Sequence, residues 1–133
     1  MLAGNGTSYT SALAVGGESP SYTTNTEEWN GTNWTEVNNL NTARNSLRCV
    51  GNNTEAMLAV GGSISPGKTG KTEEWNGVSW TEVADLATAR SNVGASGSST
   101  AGLAFGGNTP TKTGATEEWN GAGAGQTRTF TDS

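Results

Sequence analysis

Histidine is absent from this 133-residue chain and cysteine occurs once. With no imidazole, a single thiol and no Asp-x-Asp cluster, the sequence offers no ligand set of the kind that holds zinc or calcium, so no metal is expected. No other cofactor is expected either. Cys49 has no partner for an intrachain disulfide, and its apolar surroundings read as those of a small buried thiol. The absence of disulfides leaves the compartment open. Charge is also sparse: 14% of residues are charged, 12 acidic against 7 basic, for a net charge of −5. No basic run exists that would neutralise a phosphate backbone, which argues against nucleic acid as a partner. Long apolar runs are missing too. Nothing approaches the roughly 20 residues that span a bilayer, and Met1 to Gly17 has neither a basic leading region nor a continuous apolar core. Neither a signal peptide nor a membrane anchor is expected.

What the chain has in quantity is glycine, with 20 residues, and many Thr, Asn and Ser around an apolar fraction of 32%. That balance suits short strands joined by many turns, an all-β class. Polarity of this degree also suits disorder, but five tryptophans and regularly placed apolar segments supply enough surface to bury. The length fits one domain over residues 1–133.

The sequence repeats itself. Gly16-Gly17, Gly61-Gly62 and Gly106-Gly107 each close an apolar run: Ala-Leu-Ala-Val, Met-Leu-Ala-Val and Gly-Leu-Ala-Phe. The period is about 45 residues. A polar loop follows each pair, and then an identical Thr-Glu-Glu-Trp-Asn-Gly beginning at Thr26, Thr72 and Thr116. Two copies continue through Trp34-Thr35-Glu36-Val37 and Trp80-Thr81-Glu82-Val83 into Thr42-Ala43-Arg44 and Thr88-Ala89-Arg90. Each unit reads as four short strands. The first strands are expected at Leu47–Val50 and Val93–Ala95, with a shortened copy at Leu2–Ala3. The second ends in Gly-Gly, and the third carries Glu-Glu-Trp. Asn-Gly then makes the tight turn into the fourth, because both residues accept positive φ. Units of about 1–40, 41–86 and 87–133 result. The third departs after Gly121, and its fourth strand is expected at Thr129–Asp132, with Phe130 in the place of the missing tryptophan.

An apolar strand ending in Gly-Gly, an aromatic about a dozen residues later, then Trp, Leu and Arg resembles the kelch repeat over essentially the whole chain. Trp29, Trp75 and Trp119 stand where that family usually carries Tyr. Trp34 and Trp80 match its tryptophan, and Arg44 and Arg90 match its terminal arginine. More narrowly, Glu-Glu-Trp-Asn-Gly with Thr-Ala-Arg resembles kelch-like repeats in virion appendage proteins of bacteriophages. The resemblance implies three four-stranded propeller blades and a place in a virion or extracellular appendage. Because propellers close with roughly 4 to 8 blades, three leave two apolar faces open, and a second copy about a two-fold axis completes a six-bladed homodimer. The alternative is that unlike neighbours in a longer propeller or fibre supply the missing blades. The family's copper oxidases use histidine ligands, which this chain lacks.

The chemical candidates weigh toward architecture. Glu27/Glu28, Glu73/Glu74 and Glu117/Glu118 look like acid/base pairs, but neighbouring residues on a strand point to opposite faces, and a pair present in every unit is better explained by the unit. Pairing with arginine or backbone amides is expected of them. Arg44 and Arg90 read as posts between units in preference to ligand-binding forks. A sialidase-like site would need an Asp-box, which follows none of Arg44, Arg90 and Arg128. The loops after each Gly pair differ while their flanks are nearly identical, as on a recognition surface. There Tyr22 offers a stacking face to a sugar, and Lys68, Lys71 and Lys112 offer charge to an acidic partner. Asn5, Asn30, Asn33 and Asn52 lie in Asn-x-Thr sequons, which short Asn-Gly turns also generate by accident. The expected function is a non-enzymatic binding or structural module recognising protein or glycan. The competing class is a glycan-processing enzyme on a propeller scaffold.

Overall fold

Along Ser11–Val15 the two-residue period of an extended chain sends Leu13 and Val15 to one face and Ala12 and Ala14 to the other. The same alternation returns in each repeat and builds the same sheet three times. The computed structural model describes residues 1–121 and 126–128, and these are all β, with no helix among them.

The first sheet contains β1 (Ala3–Ser8), β2 (Ser11–Val15), β3 (Thr26–Trp29) and β4 (Trp34–Val37). In the second, β5 (Arg48–Asn53) and β6 (Ala56–Val60) precede a small hairpin of β7 (Ser63–Ile64) and β8 (Gly67–Lys68). The sheet then resumes with β9 (Thr72–Trp75) and β10 (Trp80–Val83). The third is β11 (Gly94–Gly97), β12 (Gly102–Phe105), β13 (Thr116–Trp119) and β14 (Gln126–Arg128). Every pairing is antiparallel and each four-stranded sheet is a simple meander. Asn30 and Asn76 fix the turns between third and fourth strands: each Oδ1 accepts two backbone N–H groups at 2.9 Å, and Gly31 and Gly77 follow at φ 94° and 92°.

Three expectations change. The first strand of the first sheet is six residues long and not a shortened copy, because Gly4, Asn5 and Gly6 pair with Ala14, Leu13 and Ala12 despite their low strand preference. The fourth strand of the third sheet begins at Gln126, opposite Glu118, ahead of the expected Thr129. The β7–β8 hairpin was not foreseen within its loop. Phe130 and the Ala122–Gly125 segment lie outside the described residues.

The core lies between sheets. Leu13, Val15, Leu40 and Leu47 meet Cys49, Met57, Ala59, Trp75 and Trp80 at the first junction. Val50, Leu58 and Val60 meet Ala104 at the second, with Ala95 and Trp119 packed beside them. The middle sheet is therefore covered on both faces. The first strands of the three sheets run side by side, β1 next to β5 and β5 next to β11. Backbone bonds link them in series, with Asn92 N–H donating to Ser46 O at 3.0 Å and Ser46 N–H to Met1 O at 3.3 Å.

Burial differs sharply between equivalent tryptophans: Trp75 and Trp80 are 2% and 5% exposed, whereas Trp34 is 50% exposed. Trp75→Ala is expected to cost about 3–5 kcal/mol in urea denaturation, and Trp34→Ala less than about 1 kcal/mol at a concentration where the chain is monomeric. Equal costs at the two positions would contradict this placement of the core.

Candidate functional site

A loop that varies on a constant frame is the first place to look for recognition. Tyr22, Lys68 and Lys112 occupy matching positions in the three loops, bridged to Glu18, Ser63 and Asn108 respectively. No hydrogen bond or ion pair joins these three side chains to one another among the described residues. Lys71 stands apart from them: its ammonium pairs with Glu82 at 2.9 Å. That contact raises the pKa of Lys71 and lowers that of Glu82, the hydrogen bond between them being the largest cause in both. Both groups are exposed, so the pair contributes little to stability. The other three expected loop residues thus hold matching positions in their loops without bonds between their side chains among the described residues.

The convergent chemistry lies at the junctions between sheets. Arg44 and Arg90 are both fully buried. The segment Leu40–Arg44 first binds its own sheet through the backbone, with Leu40 N–H donating to Thr24 O at 2.9 Å and Arg44 O accepting from Gly17 N–H at 2.9 Å. The Arg44 side chain then crosses to the next sheet. It donates to Gly61 O at 2.9 Å, to Lys71 O, to Ala59 O at 3.3 Å and to Glu73 Oε2 at 3.0 Å. Glu73 Oε1 accepts from the backbone and side-chain N–H groups of Asn41 at 2.6 and 2.9 Å. The second junction repeats the pattern. Arg90 donates to Gly106 O at 3.1 Å, Ala115 O at 2.7 Å and Glu117 Oε2 at 2.6 Å, and Ala87 N–H donates to Glu117 Oε1 at 2.6 Å. Burial lowers the pKa of Arg44, and the Glu73 carboxylate opposes this.

The Gly-Gly pairs sit where successive arginines meet. Gly61 gives its carbonyl to the Arg44 guanidinium, while a Cβ on it would come within 2.5 Å of Arg90 O. Its φ of 61° is in the left-handed region as well, so sterics and backbone both call for glycine.

Tryptophan adds direction to the first junction. Trp75 Nε1–H donates to Thr54 O within its own sheet at 2.7 Å, as Trp29 and Trp119 do to Tyr9 O and Ser99 O. Trp80 Nε1–H instead reaches back to Thr26 Oγ1 of the preceding sheet at 3.0 Å.

Two faces keep the same residue pattern with no further sheet against them among the described residues. On the first sheet, Ala14, Glu27, Trp29 and Trp34 stand where Ala59, Glu73, Trp75 and Trp80 stand on the second, by strand register. On the third, Leu103 and Phe105 match Leu58 and Val60, and they are 39% and 43% exposed. Sequence reasoning expected the carboxylates to pair with arginine or backbone amides, which Arg44 with Glu73 and Arg90 with Glu117 do, without saying which carboxylate meets which arginine, and it missed Leu103 and Phe105. The signal was countable: three Glu-Glu-Trp segments stand against two Thr-Ala-Arg segments.

Among the described residues no group of three His, Cys, Asp or Glu side chains is placed to hold a metal ion. Burial pushes the Cys49 thiol up to about 12. No protein-family model matches the chain, and no curated protein matches it.

Arg44→Ala leaves Glu73 buried without its cation and is expected to cost about 3–5 kcal/mol in urea denaturation, with Arg44→Met/Glu73→Met together recovering much of it. A neutral Arg44→Ala would contradict the post. Cys49 adds a pH dependence. Above its ordinary value of 9.0 the unfolded thiol ionises while the folded one, at about 12, keeps its proton. Stability is therefore expected to be fully present below pH 9.0 and to fall by up to about 1.4 kcal/mol per pH unit above it. Subtracting the profile of Cys49→Ala isolates this contribution, and identical profiles would refute it.

Proposed function

We propose that the chain is a non-enzymatic binding or structural module, in which the three sheets act as blades of a kelch-type propeller arc and the two open faces are the working surfaces. The observation that carries this reading is the match between those faces. The open face of the first sheet repeats the pattern that receives a neighbour at both internal junctions. The open face of the third repeats the pattern that is received. Leu103 and Phe105 would meet Ala14, Trp29 and Trp34 much as Leu13 and Val15 meet Ala59, Trp75 and Trp80. Trp34 Nε1–H would find Thr116 of a second copy, as Trp80 finds Thr26.

Two copies joined head to tail twice would give six blades and cover both faces, a contact with the character of a core cut open. Assembly within a virion or extracellular appendage, with protein or glycan recognised at the loops bearing Tyr22, Lys68 and Lys112, fits the sequence resemblance. The rival enzyme reading has less to draw on, because Glu73 and Glu117 already hold arginine.

Light scattering at micromolar concentration is expected to give about 27 kDa, twice the 13.5 kDa of one chain, falling to one chain mass for Phe105→Asp with folding retained. A well-folded wild-type monomer would overturn ring closure by a second copy. Turnover of a glycoside that Glu28→Gln or Glu74→Gln abolishes would overturn the non-enzymatic reading.

A further inference from the structure

Glu27 stands where Glu73 and Glu117 stand, opposite Ala14 as they are opposite Ala59 and Ala104. Its side chain is exposed, whereas theirs are 0% and 4% exposed as residues. The Glu27 side chain makes no hydrogen bond or ion pair among the described residues. The rest of the arginine-binding set is present around it. Gly16 N–H donates to Asn25 O at 2.8 Å, just as Gly61 N–H donates to Lys71 O and Gly106 N–H to Ala115 O at 2.9 Å. At both internal junctions the two carbonyls of that turn and the nearby glutamate together take one guanidinium. Glu27, Gly16 and Asn25 line one open groove with Leu2 and Ala14.

Resting on the reading of the sheets as blades, we propose that this groove is a guanidinium socket, and that its occupant is the arginine of a Leu-x-Thr-Ala-Arg segment carried by a further repeat unit. Charge and hydrogen-bond complementarity fix the occupant. Two carbonyl acceptors and a carboxylate match a planar fork, and a lysine presents only a point charge. The segment's backbone matters as well, because the second carboxylate oxygen takes the N–H of the residue after its leucine, as in Asn41 and Ala87. The two Leu-x-Thr-Ala-Arg segments of a second copy of this chain are already engaged, since Arg44 and Arg90 are each held at their own junction, and Arg128 follows no such segment. A unit that offers one therefore displaces the second copy at this face.

The socket is tested by extending the full chain ahead of Met1 with Leu-Asn-Thr-Ala-Arg-Asn, the sequence of residues 40–45. Met1 corresponds to Ser46 by strand register, so the added arginine falls where Arg44 falls relative to the second sheet. The comparison is the same extension with glutamine replacing arginine. The arginine extension is expected to raise the thermal midpoint by about 4 °C or more over the glutamine one, and the two are expected to coincide in Glu27→Gln. Equal midpoints in the wild-type background, or a gain that persists in Glu27→Gln, would overturn the socket. Arg90→Gln in the unextended chain separates the two levels of the argument. If it leaves the midpoint unmoved, the blade-and-post reading fails. If it lowers the midpoint while the extension changes nothing, the socket alone fails.

Discussion

A buried guanidinium is tolerable only where acceptors are already in place, and here the acceptors of both terminal nitrogens belong to the next sheet along the chain, while Nε of Arg44 and of Arg90 has no partner among the described residues. Arg44 and Arg90 are anchored through the backbone on one side of a junction and neutralised on the other. Desolvation makes an unpaired ion at either site costly, so the relative position of two sheets is restricted to the one that brings carbonyls and carboxylate together. Apolar packing between the sheets is less selective. Leucine and valine side chains against alanine and methionine tolerate sliding that a forked hydrogen-bond pattern does not.

The two junctions are not equal in how well they are filled. Met57 and Gly102 hold the same position against the tryptophan of their third strands. Where methionine fills the first junction, glycine leaves a small apolar cavity at the second, lined by Val50, Leu58, Leu86, Ala104 and Trp119. The first junction accordingly gathers the larger continuous core, including both tryptophans of the middle sheet. A chain organised this way has stability that falls from the middle sheet outward, since among the described residues only that sheet has a neighbour on each side.

The sheets were legible because their signals are local and repeated. Gly-Gly after an apolar run, Glu-Glu-Trp and Asn-Gly mark strand ends and a turn whatever lies around them, and the structure pairs them as a meander. What escaped was set by pairing rather than by composition. The strand Ala3–Ser8 contains two glycines and an asparagine and is extended because β2 offers it a ladder, interrupted only by a register shift between Gly6 and Ser8. The start of β14 at Gln126 follows from its register with Glu118, which the glycine-rich sequence before it does not announce. The arginine posts were half legible. Arg44 and Glu73 are 29 residues apart, and nothing in either segment says which carboxylate of a pair turns inward. That choice belongs to the sheet face, where Glu73 shares a side with Ala59 and Met57 while Glu74 takes the other.

Each post is encoded in two halves, an arginine at the end of one repeat and a carboxylate with two carbonyls in the next. A duplication of one repeat, wherever in the period its boundaries fall, therefore adds one of each half and creates a complete new junction from an existing one. Loss of one repeat removes one of each. The number of sheets can change by whole units during evolution without any compensating substitution at the posts, while a deletion that removes one half of a post and leaves the other strands a buried charge.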